Sequence, residues 1–174
     1  MKLLNNGKVV VGFDLCDGYA QISYANIDSD TVETVSSVAG AEIFNIPTAL
    51  CKKEGVNHWL YGKEALVEKE GILIDNLLSL AISGEPIQIE ENSYQPEALL
   101  TLFCKRCLGM LYQITASEKI AALMITCKTM DNRILEVLEQ VVSGLGLKTD
   151  KVFFQSHMES FYNYMLSQPE ELWL

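Results

Sequence analysis

The residues of this chain best placed to do chemistry lie where its first apolar strand ends. An apolar run from Val9 to Phe13 leads into Asp14, and the dipeptide Asp17-Gly18 follows shortly after. A single carboxylate with several waters is a common arrangement around Mg²⁺, so Asp14 is a candidate magnesium ligand. A solvated carboxylate beside a turn is an equally good interpretation of the same residue. Asp17-Gly18 predicts a two-residue hairpin turn with positive φ in preference to a ligand-binding loop.

A second candidate is Ser156-His157-Met158-Glu159, which places a hydroxyl beside an imidazole. The spacing Ser-x-x-Glu at a helix start predicts a capping box, in which Ser156 and Glu159 satisfy each other's backbone donors. Catalysis by Ser156 with His157 is set aside, because adjacent residues do not face each other on a helix. His58 is the only other histidine, so a histidine metal site is not expected.

The cysteines form the third candidate group. Cys104 and Cys107 match the C-x-x-C pattern of metal and redox sites. They fall inside a predicted helix and have no second ligand pair, so we interpret them as part of a partly buried helix face. The 5 cysteines are odd in number and irregularly spaced, which argues against a disulfide framework and fits a reducing compartment.

A mixed sheet flanked by helices must position these residues. The predicted strands of its core are Lys8–Leu15, Tyr19–Ile27, Thr31–Val38, Ile120–Thr126 and Lys151–Phe154. The predicted helices run from Pro96 to about Tyr112, over Asp131–Ser143 and over Ser156–Ser167. The first three strands are expected to be antiparallel in the order 3-2-1, and the last two to add parallel to the first. Asp14 then lies at the carboxyl end of the first strand, facing the open side of the sheet.

The segment from Ala39 to Glu91 is expected to form a small inserted subdomain. Its short strands are punctuated by proline and glycine. The predicted elements are an edge strand at Ile46–Cys51, a strand at Trp59–Gly62, a helix near Lys63–Glu70 and a strand at Pro86–Glu90, before a polar turn at Glu91–Ser93. Residues 1–38 and 92–174 are then the core domain, and residues 39–91 the insertion.

Composition and charge restrict the classes of partner. The 174 residues carry a formal net charge of −10 at pH 7, which would repel a phosphate backbone, so no nucleic-acid partner is expected. No apolar run approaches the ~20 residues that span a bilayer, so no membrane partner is expected. The stretch Met1–Lys8 lacks the apolar region of a signal peptide. We therefore expect a cytoplasmic protein.

This order of elements resembles that of each lobe in the superfamily of actin, DnaK-type chaperones and sugar kinases. The resemblance rests on short segments that follow in the right order and spacing over nearly the whole chain. Val11–Leu15 with Asp17–Ala20 resembles the phosphate-1 hairpin. The segments that resemble chaperone motifs are Ile46–Leu50, Tyr61–Ala65, and Gln88–Glu90 with Ser93–Glu97.

The resemblance implies an α/β fold of the ribonuclease H-like type, with ATP and Mg²⁺ as cofactors. The superfamily's hairpin aspartate, which matches Asp14, holds magnesium through water. The resemblance therefore makes Asp14 the metal residue, and Asp14, Asp17, Gly18 and Tyr19 the nucleotide-binding residues.

The chain departs from the superfamily pattern at three functional positions. Cys16-Asp17 stands where the hairpin has Gly-Thr, and the carboxylate would face the nucleotide's own negative charge. Leu77 lies near the place of the chaperones' catalytic lysine. Gln155-Ser156-His157 aligns with the Asn-Glu-Pro motif that supplies their catalytic acid. Weak or lost nucleotide binding and no catalysis are the expected result.

The expected function is thus that of the first lobe of an actin- or DnaK-like ATPase fold, chaperone-like and with weak ATP and Mg²⁺ binding. Its expected partner is a second lobe absent from this chain, or another protein. The alternative is a non-catalytic scaffold that keeps the fold for protein contacts. A nuclease of the ribonuclease H fold is set aside, because it needs three or four clustered carboxylates and only Asp14 has a suitable strand position.

Overall fold

The molecule is built on a mixed sheet with helices packed against it. The computed structural model describes residues 7–28, 31–116 and 119–169. Its strands are β1 (Val9–Leu15), β2 (Tyr19–Asn26), β3 (Val32–Thr34), β4 (Ile46–Pro47), β5 (Leu50–Lys53), β6 (Trp59–Tyr61), β7 (Gly71–Ile74), β8 (Ile87–Ile89), β9 (Asn92–Tyr94), β10 (Ile120–Cys127) and β11 (Val152–Ser156). Its α-helices are α1 (Lys63–Val67), α2 (Leu77–Ser83), α3 (Pro96–Tyr112), α4 (Asn132–Gly144) and α5 (His157–Ser167).

The order of strands in the main sheet is β11-β10-β1-β2-β3, and β4 pairs with β2 at one end. β1 runs antiparallel to β2 and parallel to β10, and β11 runs parallel to β10. The predicted mixed α/β sheet and its strand order are therefore confirmed. β3 is shorter than the predicted Thr31–Val38, since only Val32–Thr34 pairs with β2 as a strand.

The two faces of the sheet are covered to different extents. On β1 the side chains of Val9, Val11, Phe13 and Leu15 are buried, as the two-residue period of a strand requires. The other face of β1 includes Val10, which is 40% exposed. The two faces of β10 differ in the same way. On its open face Met124 and Thr126 are only half-buried, because α5 covers part of it, whereas Leu123, Ile125 and Cys127 are in the core.

The long helix α3 forms the centre of the core against the well-covered face. It begins with Pro96 at its first position, where proline's missing N–H costs nothing. Its buried side chains are Leu99, Leu100, Phe103, Cys104, Cys107, Leu108 and Leu111. Helices α2 and α4 pack beside it. Among the residues described, no helix combines the length and the apolar character needed to cross a membrane.

The middle of the chain differs from its predicted layout. Ile46–Cys51 is not one edge strand, because the chain leaves the main sheet after β4 and enters a separate sheet of order β6-β5-β7. The bend occurs at Thr48, whose hydroxyl donates to the carbonyl of Cys16 at 2.7 Å. The predicted polar turn at Glu91–Ser93 is present but lies earlier, at Glu90 and Glu91, where Glu90 has φ 55°. Asn92 and Ser93 belong to β9, which forms a hairpin with β8.

Helix α2 and strand β7 were not expected from the sequence. They occupy an apolar stretch, and Ile74, Leu77 and Ala81 within it are buried. These side chains belong to the same continuous core as those of the main sheet. The division into residues 39–91 and a surrounding core domain stays a prediction.

Candidate functional site

Three elements meet at the carboxyl end of β1. Asp14 on β1 is the direct neighbour of Thr126 on β10, and Thr126 is the neighbour of Gln155 on β11. Because these strands are parallel, their carboxyl ends lie at one edge of the sheet. β11 leads at once into α5, so His157, the first residue of α5, arrives at the same edge.

The start of α5 is set by the predicted capping box, which is confirmed. The side chain of Ser156 accepts a hydrogen bond from the N–H of Glu159, and the carboxylate of Glu159 accepts one from the N–H of Ser156 at 2.8 Å. These bonds hold the pKa of Glu159 below its usual range, chiefly through the hydroxyl of Ser156. They also fix where α5 begins, which makes His157 its first residue.

Asp14 is held by two hydrogen bonds to one of its oxygens. The hydroxyl of Thr126 donates to Oδ1 at 2.9 Å. His157 Nε2 lies 2.5 Å from the same Oδ1. A carboxylate can only accept, so the imidazole is the donor. The side chains of Asp14 and His157 are 27% and 38% exposed, which places the pair at the edge of the protein rather than within its core.

Cys16 completes the cluster. Its Sγ lies 4.0 Å from His157 Nε2. One oxygen of Asp14, Cys16 Sγ and one ring nitrogen of His157 all lie within 4.8 Å of one another. Burial raises the pKa of the Cys16 thiol, and the negative charges of Asp14 and Asp17 raise it further, against a smaller opposite effect of Lys128. The free side chain is therefore a thiol at neutral pH.

This cluster does not have the geometry of a nucleophilic triad. A triad histidine contacts the nucleophile through one ring nitrogen and the orienting acid through the other. Here the same nitrogen, Nε2, faces both Asp14 and Cys16. A raised pKa also works against thiolate formation at Cys16. The arrangement fits ligand binding better than acyl transfer.

The carboxylate of Asp17 bonds to helix α2 and not to this cluster. It accepts hydrogen bonds from the N–H of Ser79 at 2.9 Å and from the hydroxyl of Ser79 at 2.5 Å. Ser79 lies in the first turn of α2, whose N–H groups lack partners within the helix. The negative charge also lies at the positive end of the helix. Asp17 thus caps α2.

Gly18 and Tyr19 belong to the turn that joins β1 to β2. The N–H of Cys16 donates to the carbonyl of Tyr19 at 3.0 Å, so Asp17-Gly18 is a two-residue turn as predicted. The predicted positive φ is wrong, since neither residue lies in the left-handed region. Tyr19 pairs with Pro47 through its backbone, and its side chain is 40% exposed. The hydrogen bonds of Asp14 go to Thr126 and His157 and not to this turn.

A pocket of about 310 Å³ opens beside this turn. It lies between the carboxyl ends of β1 and β10 and the start of α4, where open α/β sheets bind their ligands. Its lining is thiol, aliphatic and hydroxyl-bearing, and it includes the charged residues Asp17 and Lys128. The lining residues are Cys16, Asp17, Leu78, Ser79, Ile82, Cys127, Lys128, Thr129 and Ile134.

His157 is the site residue that sequence reasoning missed. The capping box had already placed it at the first position of a helix that directly follows a parallel strand. Asp14 had been placed at the carboxyl end of the neighbouring sheet. Since carboxyl ends of parallel strands share one edge, the two predictions together contained the signal for their contact.

Residues 31–174 match the family described as "Family of unknown function (DUF5716) C-terminal". The chain belongs to this family. The match includes Thr126 and His157 and begins after the turn that contains Cys16 and Asp17. No curated protein matches the chain.

Proposed function

We propose that the chain is a lobe of the actin- and DnaK-like type, with a ribonuclease H-like sheet, that serves as a non-catalytic scaffold for protein contacts. One observation carries the proposal: both carboxylates of the hairpin have partners within the protein. Asp14 is bonded to Thr126 and His157, and Asp17 is bonded to Ser79. The strand order and the hairpin position support the fold assignment.

The surroundings of the hairpin are unfavourable for a nucleotide phosphate. Asp17 brings a negative charge to the place where the superfamily has a hydroxyl, and freeing it would leave α2 without its cap. Leu77, near the place of the superfamily's catalytic lysine, is a buried residue of α2. Thus a carboxylate stands in place of a phosphate-binding hydroxyl, and an apolar side chain stands near the place of the catalytic lysine.

Helix α5 supports the contact role. It has 11 residues, none of them buried. One side of α5 packs against β10 and β11, and a helix of this length owes most of its stability to such packing. Its exposed apolar side chains are Met158, Phe161, Tyr162, Tyr164 and Leu166. Aromatic residues and methionine are the types enriched at protein interfaces.

We propose that the exposed apolar side chains of α5 contact a protein domain with a complementary apolar surface. That domain is the second lobe of the fold or another protein. A second copy of the chain is disfavoured, because two molecules with a formal charge of −10 repel each other. The chaperone-like role implied by the resemblance is a proposal that depends on the same contact.

Calorimetric titration with ATP and Mg²⁺ tests the loss of nucleotide binding. We expect affinity no better than about millimolar, which corresponds to a binding free energy of ~4 kcal/mol. Asp14→Asn is the informative variant and His58→Gln the control outside the site. Micromolar affinity that Asp14→Asn abolishes and His58→Gln preserves would show a working nucleotide site and overturn the proposal.

A further inference from the structure

The geometry points to a Zn²⁺ site formed by Asp14, Cys16 and His157, with water as the fourth ligand. The three side chains offer an oxygen, a sulfur and a nitrogen, all within 4.8 Å of one another. They come from three places in the fold: β1, the turn after it, and the first position of α5. This site is independent of the proposed scaffold role.

The donor types select the class of metal. Magnesium takes oxygen ligands and keeps most of its waters, so it gains nothing from a sulfur and an imidazole. Zinc is bound by cysteine, histidine and aspartate together, in tetrahedral geometry. Three protein ligands with a water are typical of zinc sites that keep an open position. The set found here is therefore one for zinc or a similar transition metal.

The distances require only a local adjustment. Zinc bond lengths of about 2.0 to 2.3 Å place nitrogen and sulfur ligands about 3.6 Å apart in a tetrahedron, and nitrogen and oxygen ligands about 3.4 Å apart. Cys16 Sγ and His157 Nε2 are 4.0 Å apart, close to the first value. His157 Nε2 and Asp14 Oδ1 are 2.5 Å apart, so the metal would replace their hydrogen bond and separate the two atoms.

The ligands have room to make this change. Asp14 and His157 are 27% and 38% exposed, and Cys16 is half-buried. On binding, the hydrogen of His157 moves to Nδ1 and the thiol proton of Cys16 passes to the solvent, as coordination requires. The backbone of each ligand is already fixed, by β1 and its turn on one side and by the capping box of α5 on the other.

Thr126 serves as the outer partner of the site. Its hydroxyl donates to Asp14 Oδ1 at 2.9 Å and so orients the carboxylate. Partners of this kind orient ligands and contribute to affinity for the metal. Thr126 lies on β10, which pairs directly with β1, so the orientation is built into the sheet.

The presence of Cys16 distinguishes a zinc site from a purely structural contact between Asp14 and His157. A hydrogen bond between Asp14 and His157 that merely fastens α5 to the sheet needs no thiol. A zinc site needs all three side chains. The substitution Cys16→Ser therefore leaves the fastening bond intact and removes the soft ligand.

The test is titration of the purified chain with Zn²⁺ in competition with a chromogenic chelator, together with the absorption spectrum after Co²⁺ is added. We expect one Zn²⁺ per chain and a thiolate-to-cobalt charge-transfer band. Cys16→Ser should abolish the band, and both Cys16→Ser and His157→Gln should weaken zinc binding. Thr126→Val removes only the partner that orients Asp14 and should lower zinc affinity by about 10- to 100-fold. The two ligand substitutions should lower zinc affinity by more than Thr126→Val does.

His58→Gln is the matched control, since His58 is exposed and outside the cluster. It should leave both the affinity and the band unchanged. Circular dichroism spectra of all variants report whether they are folded. Absence of the cobalt band from the parent chain, or zinc affinity that Cys16→Ser leaves unchanged in a folded variant, would overturn the proposal. Loss of binding in His58→Gln to the same extent as in His157→Gln would overturn it as well.

Discussion

The carboxylate of Asp17 caps a helix that begins 60 residues later in the chain, through the N–H and the hydroxyl of Ser79. This contact ties the turn after β1 to α2, and so joins the main sheet to the middle of the chain. Asp17 and Ser79 also both line the pocket beside the turn.

The first prediction concerns this cap. Asp17→Ala should lower the free energy of unfolding by about 1 kcal/mol, the usual cost of losing a side-chain cap. The measurement is denaturant unfolding of the variant and the parent chain. Asp28→Ala removes an exposed carboxylate elsewhere and should change stability by less than about 0.5 kcal/mol. Equal effects of the two substitutions would contradict the capping role.

The second prediction concerns the pH dependence of stability. Glu90 accepts a hydrogen bond from the ammonium of Lys52 at 2.7 Å and one from the N–H of Gly55 at 2.8 Å. These bonds, that of Lys52 first, hold the pKa of Glu90 below its ordinary value of 4.5. A carboxyl whose pKa is lower in the folded protein adds stability above the unfolded pKa, and this is lost as the pH falls through the folded pKa.

Glu90→Gln should therefore be less stable than the parent chain well above pH 4.5, and this difference should shrink as the pH falls below that value. Urea unfolding on both sides of that pH gives the comparison. Glu42→Gln, at an exposed carboxylate, should follow the parent at each pH. A stability difference for Glu90→Gln that does not change with pH would contradict the role of the Lys52 contact.

The third prediction concerns the apolar face of α5. Phe161 is 60% exposed, so Phe161→Ser should leave the free energy of unfolding unchanged within about 0.5 kcal/mol. Leu138→Ala on α4 is the contrast, since Leu138 is fully buried. This truncation should lower the free energy of unfolding by about 2 to 5 kcal/mol. A large loss of stability in Phe161→Ser would mean that the chain itself covers this face.

Sedimentation of the same proteins tests the occupant of the α5 face. We expect the parent chain to be monomeric, because like charge opposes self-association. A stable dimer that Phe161→Ser dissociates would mean that a second copy occupies the face, contrary to the proposed partner.

The fourth prediction uses two glycines with opposite surroundings. Gly109 lies in α3, and a Cβ there would meet nothing within 4 Å. Gly109→Ala should stabilise the protein by roughly 0.5 to 1 kcal/mol, because alanine is the better helix former. At Gly71 a Cβ would lie 2.8 Å from the backbone oxygen of Lys52, so Gly71→Ala should destabilise. Thermal unfolding ranks the two variants, and the reverse order would show that the packing of β7 on β5 differs from that described.

Much of the fold followed from local patterns. The apolar run from Val9 to Phe13 predicted β1, and the proline at position 96 predicted the start of α3. Ser156 and Glu159 predicted a capping box that is present. Each of these features depends on residues a few positions apart, so a short stretch of sequence contains its whole physical cause.

Other features depended on contacts that no short stretch contains. The chain leaves the main sheet after β4 at Thr48, whose hydroxyl donates a hydrogen bond to the carbonyl of Cys16, 32 residues away. β7 and α2 bury Ile74, Leu77 and Ala81 in the core of the main sheet, a contact that their own stretch of sequence does not contain.

The sequence by itself determined the mixed sheet, its strand order and the position of Asp14 at the end of β1. Only the tertiary structure decided what surrounds that carboxylate. His157 is 143 residues from Asp14, and Ser79 is 62 residues from Asp17. The parallel pairing of β1, β10 and β11 brings the first pair together, and the packing of α2 beside the hairpin brings the second. The sequence states which side chain stands at each position, but hydrogen-bond and metal-ligand contacts require atoms within a few ångströms of each other. Which side chains come that close depends on how the whole chain folds.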